Sequence, residues 1–520
     1  MIMVGVSGKS KACHDCKRRR VKCDFGRPGC LRCQKAKISC HGYEKTTLFV
    51  NRTPTTLSTT AQSAMSELRQ RKLPNPTTQD ARTLTPASSQ WDGFLQKLKL
   101  YISNPSYSRS GYRNETSVLV RELYLPKPTA PNSSVSLGSM SPYHWFQAVC
   151  ELRGTSDALD HALLAFCSIL VSTSRSGCEP PSEGLLLYQR GLQTLVKDLE
   201  DRQIRNNDET LAAIVVLSTC ELFAAPDDQG WSAHANGISS LLHERSTPDN
   251  PPALWLSLCS RLRIICVLIG LTKRQELIPA DKWRQLMPKK HTTESFEGLM
   301  DLISDIPLLL QEAEAIGVGD RGHCPTRGIL LIPLLIDAVQ RLNKWQQDCV
   351  RQSPKPPYQT VPSTTENPAD IPFGAKLFPI ALEYESLNAA MPLILNSGVM
   401  LQILGLILRL DAKIGFLDKQ EESEVPYQTK QKYTSVPSIT AEADRLARTL
   451  CESVEYCHRV EMRILGPQAT CYTQWVTRSY FRRAKLEREV DWVNNIQNMT
   501  GLGSRCGIEL MPFGSDESIL

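Results

Sequence analysis

Six cysteines within the first forty residues have a spacing typical of metal ligands. They follow the pattern C-x2-C-x6-C-x6-C-x2-C-x6-C and are Cys13, Cys16, Cys23, Cys30, Cys33 and Cys40. A C-x2-C pair places two sulfurs on one tight turn, close enough to bind the same ion. The first three cysteines recur as the last three after 17 residues, so we expect two similar half-sites that face each other.

The number of sulfurs predicts a cluster of two zinc ions. Zinc prefers four ligands in a tetrahedron, so two ions need eight metal–sulfur bonds. Six thiolates supply eight bonds if one thiolate from each half-site bridges both ions. A disulfide framework and a metal-storage segment are the alternatives. Residues 1–6 are too short for a signal peptide and are followed by Lys9 and Lys11, which disfavours the disulfide framework.

A basic run occupies the space between the second and third cysteines, Lys17-Arg18-Arg19-Arg20-Val21-Lys22. Residues 9–45 hold twelve Lys and Arg against three Asp and Glu, a balance of +9, whereas the rest of this +6 chain sums to −3. Concentrated positive charge predicts phosphate-backbone binding that falls steeply with salt. The same run could also serve as a nuclear-import signal.

The cysteine-rich module is too small to fold by apolar burial. Residues 13–40 contain four large apolar side chains between the cysteines, Val21, Phe25, Leu31 and Ile38. We therefore expect metal binding to supply the folding free energy, about 10–16 kcal/mol per structural zinc.

Residues 12–24, together with Pro28-Gly29-Cys30-Leu31-Arg32-Cys33, resemble the fungal Zn2Cys6 binuclear cluster family of transcription regulators. The six cysteines, the basic run, Asp24 after the third cysteine and Pro28 in the central loop all match. The resemblance implies that Cys13 and Cys30 bridge the metals. One zinc would then be bound by Cys13, Cys16, Cys23 and Cys30, and the other by Cys30, Cys33, Cys40 and Cys13.

The resemblance also implies roles for the basic residues. Family positions that read a CGG-type triplet correspond to Arg19 and Arg20, and arginine can pair bidentately with O6 and N7 of guanine. We expect the run after Cys16 to form a short helix that enters the major groove. The expected phosphate contacts, which position the module without reading sequence, are Lys17, Arg18, Lys22, Arg27 and Lys35.

These patterns predict a nuclear, sequence-specific regulator of RNA polymerase II transcription. Its expected partners are double-stranded DNA with short G/C-containing (CGG-like) sites and the transcription machinery. We expect no enzyme activity and no membrane association. The alternative is a helical ligand-sensing or scaffold protein with a zinc-folded, nucleic-acid-binding tail.

A flexible linker is predicted at 41–90, between the DNA-binding domain at 13–40 and a large domain at 91–510. Residues 51–90 hold nine Thr, five Ser and four Pro and no aromatic residue, too little apolar content to fold. One apolar helical face at 61–68 spans about two heptads, fewer than a stable coiled coil needs. A homodimer through this face is weakly supported, and a monomer or a dimer through the large domain stays open.

The large domain has the pattern of amphipathic helices and predicts a mostly α fold: a small Zn2Cys6 module, a flexible linker and an all-α helical regulatory domain. Residues 211–225 are apolar on nearly every side, as in a buried helix that starts near Asp208. Loops are predicted at 126–140, 353–372 and 419–440. A helix before residue 208 is also predicted, with one apolar stripe formed by Leu185, Tyr188, Leu192, Leu195, Val196 and Leu199.

Part of this domain resembles the fungal-specific transcription factor regulatory domain. The resemblance rests on residues 209–223 and then on Trp231, His234, Gly237, Leu241 and Leu242, and it extends over about 140–505. It implies a helical regulatory domain and implies nothing about a ligand.

Two further motifs invite other chemistry. Residues 317–322 match G-x-G-x-x-G, but dinucleotide binding needs a strand before the motif and a helix after it. We predict a helix at 302–315 and expect Pro325 to oppose a helix start, which favours a Gly-rich loop. His234 has no acid or nucleophile nearby in sequence, which favours a buried, hydrogen-bonded histidine over a catalytic one.

Two remaining segments carry weaker signals. Cys451, Cys457 and His458 do not form two ligand pairs, so we expect no second metal site there. Residues 509–520 mix acidic and bulky apolar side chains. An activation patch and an ordinary frayed tail are the two interpretations, and the tail is favoured.

Overall fold

The structure is a computed structural model in which a cysteine-rich unit and a helical unit are separately compact. It describes residues 16, 19, 21, 23, 24, 30–36, 38 and 40 of the first unit. For the second unit it describes 109–127, 144–152, 155–176, 182–224, 229–245, 247–248, 250–288, 295–318, 324–352, 355–414 and 435–500. The predicted linker and the C-terminal stretch lie outside these residues.

The described elements confirm the mostly α fold. The cysteine-rich unit contains α1 (Leu31–Lys35). The first helices of the helical unit are α2 (Arg109–Leu123), α3 (His144–Glu151), α4 (Asp157–Ser176), α5 (Ser182–Glu200), α6 (Arg202–Arg205), α7 (Asp208–Ala224) and α8 (Gln229–Glu244). The next are α9 (Ala253–Lys273), α10 (Ala280–Leu286), α11 (Phe296–Ile303), α12 (Ile306–Val318) and α13 (Cys324–Gln352). The last are α14 (Leu387–Ile414), α15 (Val436–Glu452), α16 (Val454–Cys457), α17 (Leu465–Arg483) and α18 (Glu487–Asn494).

Helix α7 is buried on every side between its neighbours, as its composition predicts. Every residue from 211 to 221 is buried. The predicted stripe of α5 lies partly in the core, where Leu195 is buried and Tyr188, Leu192 and Leu199 pack against it. The most buried positions also include Leu187 and Gly191, which were not predicted. A Cβ on Gly191 would lie 3.2 Å from Leu217 Cδ2. The absence of a side chain at this glycine therefore lets α5, α4 and α7 approach closely.

Two long helices form much of the remaining core. Helix α9 and residues 387–413 of α14 are long and apolar enough to cross a membrane, although each apolar run is interrupted by polar residues. Their most apolar stretches are 83% and 78% buried within the helical unit. Burial in the core accounts for their composition.

Helix α9 also carries a buried arginine between acidic side chains. Arg263 is 1% exposed. Its Nη2 donates to Asp301 Oδ1 at 2.7 Å, and its Nε donates to Ser304 Oγ at 3.0 Å. Its Nη1 lies 3.6 Å from Glu297 Oε2. This network ties α9 to α11 and to the turn that follows α11.

The beginning and the end of the helical unit are joined by hydrogen bonds. The Ile464 and Leu465 amides donate to the carbonyls of Leu123 and Tyr124 at 3.3 and 3.1 Å. The Tyr124 hydroxyl donates to Gln468 Oε1 at 2.7 Å. The C-terminal end of α2 therefore meets the beginning of α17.

The turn into α17 depends on a close backbone approach at Gly466. A Cβ at this position would lie 2.0 Å from the carbonyl oxygen of Cys457 and 2.5 Å from Met462 Cβ. Any side chain would force these backbones apart. Glycine is therefore required here for packing.

Several predicted boundaries were wrong for reasons connected with proline. The predicted helix at 302–315 is broken between α11 and α12, because Pro307 cannot donate a backbone hydrogen bond to a continuing helix. Pro325 does not oppose a helix start, since α13 begins at Cys324 and proline is tolerated in the first turn. The predicted loop at 419–440 ends earlier, because α15 begins at Val436 with Pro437 in its first turn.

The predicted loop at 353–372 contains regular structure. Strand β1 (Tyr358–Pro362) pairs antiparallel with β2 (Ile380–Tyr384), with Thr360 opposite Leu382. A 3-10 helix at Pro368–Phe373 follows β1. Proline at the end of an edge strand costs no ladder hydrogen bond, which is why Pro362 does not prevent pairing.

Candidate metal centre and nucleic-acid interface

Five of the predicted cysteine ligands lie in two groups that share one residue. The sulfurs of Cys16, Cys23 and Cys30 lie within 4.8 Å of one another, and so do those of Cys30, Cys33 and Cys40. Four of these five side chains are buried, and Cys40 is half-buried. Cys13, the second predicted bridge, lies outside the described residues.

The sulfur separations fit metal binding. Cys16 Sγ and Cys30 Sγ are 3.6 Å apart. A disulfide would require about 2.05 Å. Two thiolates on one tetrahedral zinc lie about 3.8 Å apart, because each Zn–S bond is about 2.3 Å long. The donor set therefore fits zinc, with Cys30 positioned to serve both ions.

Helix α1 positions the second group of sulfurs. Cys30 is its N-cap residue, and the Cys33 amide donates to Cys30 Sγ at 3.4 Å. Asp24 adds a second cap, because its two carboxylate oxygens accept from the Leu31 and Arg32 amides at 3.0 Å. These contacts satisfy backbone donors that a helix leaves unpaired at its start. The sequence pattern includes Asp24 but does not reveal this capping role.

Replacing Asp24 with alanine should weaken metal retention without removing a ligand. The loss of a charged cap costs about 1–2 kcal/mol, which should loosen the Cys30–Cys33 turn. Zinc release to a chelator from the full chain should therefore be faster for Asp24→Ala. Asp24→Asn keeps a capping oxygen and should lie between the variant and the wild type. Equal release from all three proteins would contradict the capping role.

Two predicted DNA contacts fall on described residues. Arg19 and Lys35 are exposed, and Arg32 beside them is exposed as well. The Val21 amide donates to the Cys16 carbonyl at 3.1 Å, which closes a turn after the second cysteine. The other predicted contacts lie outside the described residues: Lys17, Arg18, Arg20, Lys22 and Arg27.

His234 of the helical unit has an acidic partner, Glu221, which lies on a different helix. Its Nε2 lies 3.4 Å from Glu221 Oε1 and 3.1 Å from the Tyr188 hydroxyl. The Tyr188 hydroxyl also donates to Glu221. Burial and the neighbouring Glu221 raise the pKa of Tyr188 well above its ordinary value. The three residues come from α8, α7 and α5 and form one hydrogen-bonded cluster, in agreement with the predicted hydrogen-bonded histidine.

Cys451, Cys457 and His458 are buried core residues. Burial raises the pKa of Cys457 to about 12 and lowers that of His458 to about 4. His458 Nε2 lies 3.1 Å from Thr470 Oγ1, so the imidazole has a hydrogen-bond partner within the core. Among the described residues, the groups of three or more close metal-ligand side chains are those of the cysteine-rich unit.

The G-x-G-x-x-G motif follows a helix. Gly317 lies in α12, which ends at Val318, and α13 begins at Cys324. The strand that dinucleotide binding requires is absent from the described residues before the motif, where α11 and α12 lie. Gly319 and Gly322 lie outside the described residues.

Comparison with known proteins separates the same two parts of the chain. A family model described as the fungal Zn(2)-Cys(6) binuclear cluster domain matches residues 11–48. A model described as the fungal specific transcription factor domain matches residues 129–367. Searches of curated proteins and of solved structures found no match.

The family matches agree with the chemistry of the sulfur groups. The binuclear cluster domain binds two zinc ions, and the described cysteines can hold metal. Both matched families are transcription factor domains. The chain therefore carries a fungal Zn(2)-Cys(6) binuclear cluster domain and a fungal specific transcription factor domain.

Proposed function

We propose that this transcription factor is nuclear and binds double-stranded DNA sequence-specifically to regulate transcription by RNA polymerase II. The main support for this proposal is that Cys30 belongs to two groups of sulfurs and that exposed basic side chains lie close to it in the sequence. Zinc would hold the backbone that carries these cations, so metal binding and DNA binding would be coupled. Catalysis has no part in this proposal.

The proposal assigns each part of the chain a role. Residues 13–40 form the DNA-binding domain, 41–90 form a flexible linker, and 91–510 form the regulatory domain. The metal ligands are Cys13, Cys16, Cys23, Cys30, Cys33 and Cys40, with Cys13 and Cys30 as bridges. A homodimer would place two such modules on paired CGG-like half-sites, and its dimer element is open.

Arg19 and Arg20 are proposed to contact bases, and the surrounding cations to contact phosphates. Arg20→Ala should cost about 1–3 kcal/mol on a CGG-containing duplex and should reduce the preference over a scrambled duplex. Lys17→Ala is the matched control, because a lost phosphate contact weakens both duplexes equally and reduces the salt slope by about one. Fluorescence anisotropy with the full chain measures both effects.

Three measurements test the proposed base contact, the phosphate contacts and the preference for duplex DNA. Equal weakening of Arg20→Ala on both duplexes would reassign Arg20 to phosphate. Five phosphate contacts also predict a slope of about −4.5 for log affinity against log salt. Tighter binding of single-stranded RNA than of duplex DNA would favour the scaffold alternative. The sequence argues against it, because Phe25 and Tyr43 alone are close to the cysteines in sequence, and stacking on unpaired bases uses interleaved aromatic residues.

A further inference from the structure

Three arginines converge in the helical unit at the C-terminal parts of three helices. Arg274 immediately follows α9, Arg409 lies near the end of α14, and Arg483 is the last residue of α17. Glu314 of α12 pairs with Arg274 and Arg409. This group, the Arg274–Arg409–Arg483 cluster, belongs to neither the zinc site nor the His234 cluster.

One arginine of the cluster, Arg274, has a buried N–H group without a hydrogen-bond acceptor among the described residues. Arg274 Nη1 donates to Glu314 Oε2, and Arg409 Nη2 lies 3.7 Å from the same oxygen. The Arg274 side chain is 7% exposed, and its Nη2 is buried without a hydrogen-bond partner among the described residues. Leaving a buried charged donor unsatisfied is costly, which indicates that a further acceptor belongs here.

The electrostatics of the cluster also point to a further negative charge. Burial lowers the pKa of Arg409 to about 10, and the charges of Arg274 and Arg483 lower it as well, while Glu314 opposes them. Burial and Arg274 likewise lower the pKa of Arg483. Arg274 and Arg409 thus share one carboxylate, which is 47% exposed, and the exposed Arg483 adds a third positive charge to the group.

A purely structural interpretation accounts for part of this arrangement. Cations near helix C-termini interact favourably with the helix dipole, and each of the three arginines follows or lies near such an end. The dipole does not supply an acceptor for the buried Nη2 of Arg274, and it does not offset the repulsion among three neighbouring guanidinium groups.

We propose that Arg274, Arg409 and Arg483 form a binding site for a small oxyanion-bearing molecule that carries at least two negative charges. The guanidinium fork matches the geometry of both carboxylate and phosphate. Glu314 competes with the ligand for Arg274 and Arg409, and its exposure gives the ligand access from solvent. The site would let a small metabolite act on the domain, whether or not the zinc module binds DNA as proposed.

The test uses the zinc-loaded full chain and two probes, inorganic phosphate and citrate, against chloride at matched ionic strength. Isothermal titration and thermal unfolding should detect binding of at least one probe, and the preferred probe distinguishes a phosphate ester from a polycarboxylate. Arg409→Gln should weaken that binding at least about tenfold, because it removes a charge-assisted contact. Arg351→Gln, on an exposed arginine paired with Asp348, should bind like the wild type.

Glu314→Gln gives the decisive comparison because it changes binding in the opposite direction. Removing the competing carboxylate should tighten binding of the preferred probe, even if the variant is less stable. A structural network would instead give two less stable variants with unchanged probe binding. The proposal is overturned by that result, or if neither probe binds the wild-type protein.

Discussion

Replacing Cys30 with serine should leave the protein without bound zinc. Cys30 lies in both groups of sulfurs, so its loss removes one ligand from each ion. Each structural zinc contributes about 10–16 kcal/mol to the folding of such a module, and the module has no apolar core to compensate. The basic residues would then lose their positions, and sequence-specific DNA binding should be abolished.

Native mass spectrometry of the full chain measures this effect directly. Wild-type protein should carry two zinc ions, as its cluster family does. Cys40→Ser should retain more zinc than Cys30→Ser, because Cys40 belongs to one group alone. Cys150→Ser, at a half-buried cysteine of the helical unit, is the control and should keep both ions. Equal zinc loss from the Cys30 and Cys40 variants would rule out a bridging role for Cys30.

Arg263→Leu should produce the largest loss of stability in the helical unit. The substitution leaves Asp301 and Glu297 without the guanidinium that lies between them in a buried site. Removing one partner of a buried ion pair costs about 3–5 kcal/mol. Urea unfolding followed by far-ultraviolet circular dichroism should therefore show a marked fall in the midpoint.

Arg284→Leu is the matched control for this experiment. Arg284 also lies between two carboxylates, those of Asp281 and Asp305, but its side chain is 44% exposed. Exposed ion pairs contribute about 0–1 kcal/mol, so the midpoint should change little. Similar losses from both variants would mean that burial of Arg263 does not decide its contribution.

The sequence predicts the metal centre better than the helical unit because its information is local. Ligand spacing over 28 residues is sufficient to predict two sulfur groups. In contrast, His234, Glu221 and Tyr188 come from three helices, and nothing in their spacing indicates that they meet. The same holds for Arg274, Arg409 and Arg483, which are separated along the chain and converge through packing.

Glycine and proline account for most of the boundary errors. Hydrophobic periodicity includes Leu195 in the buried stripe of α5 but misses Gly191, which makes a close contact because it has no side chain. Periodicity also continued a helix through Pro307, where the chain starts a new one. Pro325 does not prevent a helix start, because it lies in the first turn of α13, where proline is tolerated.

The contact between the end of α2 and the beginning of α17 has a consequence for synthesis on the ribosome. The Tyr124 hydroxyl and Gln468 are 344 residues apart in the chain. At about 5–20 residues per second, Tyr124 waits about 17–70 s for that partner to be translated. Helix α2 can pack against α4 well before this interval ends, because both are translated early. The hydrogen bonds at the end of α2, in contrast, form only when translation is almost complete.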